Sequence, residues 1–110
     1  MFGDLHKIDI MAETKTGEVL MVLVCNGFID GSPETQKALL DKMEGYLNHT
    51  QSEKFQKEYG RWPVILRVTL DSKPDELILA LLSKCPTWAE SYGVKLEIEI
   101  GGKQVRIVES

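Results

Sequence analysis

The chain is poor in the residues that most often carry chemistry. Its only histidines are His6 and His49, and its only cysteines are Cys25 and Cys85. The histidines form no HxH or HxxxH pair, so a zinc site would have to recruit distant carboxylates or thiols. The cysteines form no CxxC motif. In a reducing compartment they read as two core thiols rather than a disulfide. Phosphate loops are missing too: "GFIDG" at residues 27–31 has neither the Walker lysine nor its spacing. There is no G-x-S-x-G elbow. No catalytic residue, cofactor or metal is expected on these grounds.

Positive charge is also short. Lys and Arg number 13 against 17 Asp and Glu, for a net charge of −4 and a pI near 5.2. Nucleic-acid binding rests on cationic neutralisation of phosphates, so nucleic acid is not an expected partner. A basic protein would be steered inwards instead. Long apolar runs are absent. The longest, "VLMVLVC", has seven residues, against the ~20 that span a bilayer. "MFGDLHKIDIMAET" is charged from Asp4 onwards and has no apolar core, so it does not read as a signal peptide. The expected setting is cytoplasmic, without membrane contact.

What is present is the pattern of one small domain. The 110 residues are 43% hydrophobic and 27% charged, which suits a single globular unit over 1–110. "LHKIDIMAE" alternates, with Ile8, Ile10 and Ala12 on one side and Lys7, Asp9 and Met11 on the other: a half-buried strand. "TKTG" makes a turn at Gly17. "EVLMVLVC" is apolar on both sides and reads as a strand covered on both faces. Ser32, Pro33 and Glu34 open a helix over 32–50, with an N-cap, a first-turn proline and an acid at the positive end of the dipole. Leu39, Met43, Tyr46 and Leu47 form its apolar stripe. Ser52 caps a second, short helix that ends before Gly60, with Phe55 and Tyr59 inward.

"WPVILRVTL" is the third strand, with Val64, Leu66, Val68 and Leu70 on one face and Ile65, Arg67 and Thr69 on the other. "KPDELILALLSKCPTWAESYG" is helical, and Leu77, Leu81, Cys85, Trp88 and Tyr92 make its expected stripe. Pro86 removes a hydrogen bond to the Leu82 carbonyl, which predicts a kink or a split. "VKLEIEI" is a clean strand, and "GG" turns into "KQVRIV". The expected class is α+β: a two-layer sandwich of order ββαβαββ, with helices on one face of a mixed sheet. The expected strand order is 2-1-3-4, with the last strand at the far edge.

Two candidate sites follow. The far sheet face, with Lys7, Asp9, Met11, Leu20, Val22, Arg67, Thr69 and Glu97, reads as either a solvated surface or a contact surface for another protein. Leu20, Val22 and Val24 favour contact, because helices on one side only leave them uncovered. The second candidate is the stretch "NGFIDGSPET", where Cys25, Asp30 and Ser32 meet a helix start. Each residue there also has a structural role as strand end, turn or cap. Three functions remain open at this point: an interaction domain without catalysis, a homodimeric structural domain, and a small-ligand binder or enzyme at that loop.

The segments "KIDIMAETKTGEVLMVLV", "DGSPETQKALLDKMEGYLN", "SEKFQKEYG" and the "PVILRV" strand also carry a likeness. Their most specific pieces are Ile8-Asp9-Ile10, Asp30, Ser32-Pro33-Glu34-Thr35 and Tyr46-Leu47-Asn48. On these the chain, to about Ile100, resembles a family of small bacterial proteins of unknown function. The resemblance implies one bacterial-type domain. It implies no activity, cofactor or site residue, and the tail "GGKQVRIVES" lies outside it.

Overall fold

A computed structural model describes residues 10–105. The elements run β1 (Ile10–Glu13), β2 (Val19–Cys25), α1 (Pro33–Thr50), α2 (Glu53–Tyr59), β3 (Val64–Leu70), α3 (Glu76–Leu82), α4 (Cys85–Glu90), β4 (Val94–Ile100) and β5 (Lys103–Val105). The class is α+β with one mixed five-stranded sheet, as the sequence pattern implies.

The strand order is β1-β2-β3-β4-β5, which corrects the expected 2-1-3-4. β1 and β2 form an antiparallel hairpin, β2, β3 and β4 run parallel, and β5 returns antiparallel on β4. The physical reason lies in the connections. Consecutive strands usually lie side by side, and the crossover through α1 and α2 sets β3 directly against β2, which leaves β1 on β2's other side. The shorter β1 and β5 take the edges. Gly101 and Gly102, at φ 57° and 82°, supply the two left-handed positions that a tight β4–β5 turn needs.

Register assigns the faces. Val19, Met21, Leu23 and Cys25 are fully buried, while Leu20, Val22 and Val24 between them are only partly so. The first set joins Val64, Leu66, Val68, Leu70, Val94 and Ile98 in one core cluster. Every buried apolar residue of the four helices belongs to that cluster, including Leu39, Tyr46, Phe55, Ile78 and Ala89. The described helices therefore pack on one face. Ile65 is buried too but stands apart from the cluster, on the opposite face.

Two expected placements change. Met11 pairs with Met21 and Glu13 with Val19, so Met11 sits on the helix side of the sheet and not on the far face. Ala12 pairs with Leu20 on the far face instead. The alternation of a strand fixes two sets of side chains but not which set points inwards. In the last helical region Cys85 is buried as expected and Leu81, Trp88 and Tyr92 pack half-buried against the core, but the deepest positions are Ile78, Leu82 and Ala89, and Leu77 is exposed. "ELILALL" is apolar nearly all round, so its phase is set by neighbours rather than by period. Pro86 does split that region, into α3 and α4.

Candidate functional site

The far face has an apolar half and a charged half. Ala12, Leu20, Val22, Val24 and Ile65 adjoin across β1, β2 and β3. Arg67 pairs with Glu97, Ile65 with Lys95, and Thr69 with Glu99 across β3 and β4. The Arg67 guanidinium donates twice to Glu97 Oε1, from Nη2 at 2.9 Å and Nε at 3.1 Å. Lys95 Nζ lies 3.8 Å from the other carboxylate oxygen. The Glu97 side chain is only 14% exposed and that of Arg67 30%. Side chains of this length lie flat on the sheet when they satisfy one another, and a charge-assisted pair of this geometry holds them there. Of the expected interaction residues, Leu20, Val22, Arg67, Thr69 and Glu97 come together on this face. Met11 does not, and Lys7 and Asp9 lie outside the described residues.

The loop after β2 brings Asp30 and Ser32 together but leaves Cys25 behind. Cys25 closes β2 inside the core with no exposed surface. Ser32 is the N-cap of α1: its Oγ accepts from Thr35 N at 3.2 Å. Asp30 Oδ1 accepts from Ser32 N at 3.0 Å. Hydrogen bonds from Thr35 and Ser32 hold the Asp30 carboxyl below its ordinary range. Gln36 donates from Nε2 to the Gly31 carbonyl at 2.8 Å. The helix start is thus served by its own chain, and its polar groups are engaged in capping. Cys85 is a core thiol as well: burial pushes it up to about 11, and Sγ lies 3.3 Å from the Leu81 carbonyl. Thiols held protonated in this way are poor nucleophiles.

Sequence reasoning missed two features, because each joins segments far apart in the chain. An open groove of about 680 Å³ lies between α1 and α4, lined by Pro33, Leu40 and Trp88 and edged by the Lys37–Asp41 ion pair at 2.7 Å. The other is the end of the molecule where β2 and β3 finish. There the Gly27 N–H donates to Asp71 Oδ2 at 2.7 Å, and the Asp75 N–H donates to the Ile29 carbonyl at 2.9 Å. These bonds stitch the loop after β2 to the loop after β3. Phe28, between them, is 61% exposed.

The aromatic run before β3 is structural. His49, Phe55, Tyr59 and Trp62 form a chain of ring contacts with centroids 5.3–5.6 Å apart. Phe55 and Tyr59 lie in the core, with Trp62 packed against it. Among the described residues no group of three His, Cys, Asp or Glu side chains could hold a metal, and no helix is long and apolar enough to cross a membrane. No protein-family model, no curated protein and no solved structure matches this chain.

Proposed function

We propose that the chain is an interaction domain without catalysis, and that it docks through the far face of its sheet. The observation that carries this reading is the make-up of that face. A contiguous neutral block, Ala12 to Ile65, lies beside an ion-paired block, and every buried apolar side chain of the described helices joins the core cluster on the other side of the sheet. Apolar side chains left partly open on a flat sheet are stabilised when a second surface removes them from water, at about 25 cal/mol per Å² of apolar area.

A second copy of the chain is the occupant that the charges fit. Among the described residues that face carries two cations, Arg67 and Lys95, and two anions, Glu97 and Glu99, although the chain as a whole carries −4. A charge-balanced face does not repel its own copy, and a two-fold axis places each cation within reach of the copy's anions. A ligand or enzyme site at the β2–α1 loop has less support, since Cys25 is sealed in the core and Asp30 and Ser32 are spent on the helix cap.

Light scattering after size exclusion, over a dilution series, tests the proposal. The expected mass is about twice the 12.4 kDa of one chain, falling to the single mass on dilution. Val22→Asp should stay at the single mass with its circular dichroism unchanged. A wild type that runs as one chain at every concentration sinks this reading.

A further inference from the structure

We infer that the end of the molecule where β2 and β3 finish is a second docking surface, and that it takes a basic protein with an apolar pocket. This surface is separate from the sheet face and does not depend on it. Phe28 and Leu77 are two of the three large apolar side chains that the described residues leave exposed, at 61% and 57%. Both belong to this end. Phe28 sits between two anchored neighbours: the Gly27 N–H is held by Asp71, and the Ile29 carbonyl accepts from Asp75 while the Ile29 side chain is buried. Leu77 lies in the first turn of α3, and its Cβ would lie 3.0 Å from a Cβ placed on Gly31. The loop carrying Phe28 and the turn carrying Leu77 are therefore packed together at the backbone level.

A large apolar side chain held outwards by a fixed loop has already lost much of the freedom that binding would cost it. That is the character of an anchor residue in an interface, where aromatic side chains on pre-ordered backbone contribute most. The surrounding charge sets the kind of partner. Asp30, Glu34, Asp71, Asp75 and Glu76 lie in the two loops and the first turns of α1 and α3, with Lys73 as the one cation among them. Lys103 follows the β4–β5 turn at the same end, where the Gly101 N–H donates to the Leu70 carbonyl, so two lysines stand against these five carboxylates. Several of these carboxylates also serve the fold: Asp75 caps α3, Asp71 holds Gly27, and Asp30 bonds to Ser32. Capping explains the acids. It does not explain why Phe28 and Leu77 stand out in water among them. Two exposed apolar side chains at an acidic end fit a partner that offers an apolar pocket among lysines or arginines, and the same field speeds the encounter.

The test uses the full chain as bait against a library of randomised displayed peptides. The selected peptides should combine a large apolar residue with two or more lysines or arginines. Their affinity should fall about tenfold or more with Phe28→Ala, and should fall again with rising ionic strength or with Glu34→Lys and Glu76→Lys together. Phe28 is exposed, so Phe28→Ala should unfold at the wild-type denaturant concentration. Val22→Asp, which addresses the sheet face, should bind the peptides as the wild type does. No enrichment of basic, apolar sequences would overturn the inference, and so would equal binding to wild type and Phe28→Ala.

Discussion

The hydroxyl of Tyr59 donates to Glu13 Oε1 at 2.8 Å and so ties α2 to β1 across 46 residues of chain. That bond and the nearby negative charge favour the protonated phenol, whose pKa is pushed up to about 12. An unfolded tyrosine titrates near 10. A group with a raised folded pKa stabilises the fold in full below its unfolded value, and that contribution is lost as pH rises through the folded one. Stability should therefore decline between about pH 10 and pH 12. Tyr59→Phe should lower the urea midpoint at neutral pH modestly, flatten the alkaline decline and abolish a late-titrating phenol in the ultraviolet spectrum. An unchanged alkaline limb in Tyr59→Phe would show that another group governs it. Single residues were unevenly legible in the sequence. Ser32 could be read as a cap because capping is local: a hydroxyl, then a proline, then an acid. Lys42 could not. Spacing puts position 42 on the inner stripe with Leu39 and Tyr46, chemistry puts a lysine outside, and the structure buries it. Met11 was misplaced because a short alternating strand has two equivalent faces until a partner is chosen.

Elements were more legible than their arrangement. The caps, the alternation of β3 and β4 and the break at Pro86 are all fixed by nearest neighbours in sequence. Strand order is not, since pairing is decided between segments that local rules cannot compare. The apolar side chains of β2 on both faces say what can cover those faces, not which strands flank it, so they could not place β2 inside the sheet. The cap on α1 can be tested at this scale. The Ser32 hydroxyl accepts from Thr35 N, and the Ser32 carbonyl accepts from Gln36 N at 2.9 Å. Ser32→Ala keeps the carbonyl and removes the side-chain acceptor. It should destabilise the protein by ~1 kcal/mol, within the usual ~0.5–2 for a lost cap. Urea unfolding would show this as a lower midpoint at constant slope, because the surface exposed on unfolding is unchanged. The same change also removes the Ser32 hydroxyl's bond to Thr35 Oγ1 at 2.9 Å, so a loss well under ~0.5 kcal/mol would mean that water takes the place of the Ser32 oxygen at the Thr35 N–H.

At the scale of the whole molecule the decisive property is where charge ends up, and composition gives only the total. Among the described residues the sheet face is balanced and the far ends of β2 and β3 are acidic, a division that exists only once β3 and β4 set Arg67 against Glu97. That pair separates the contribution of charge balance from that of the fold. Arg67→Glu alone puts two carboxylates opposite each other on neighbouring strands and turns the face negative. It should cost about 1 kcal/mol of stability, since like charges directly opposite are destabilising, and it should abolish self-association. Glu97→Arg alone makes the face positive and should abolish it as well. The double variant, Arg67→Glu with Glu97→Arg, restores a pair in the same register and a balanced face. It should recover most of the stability, and light scattering should again find the doubled mass, with dissociation within about tenfold of the wild type. Recovered stability without recovered mass would mean that the ion pair serves the sheet alone. The docking reading would then rest only on the neutral block from Ala12 to Ile65.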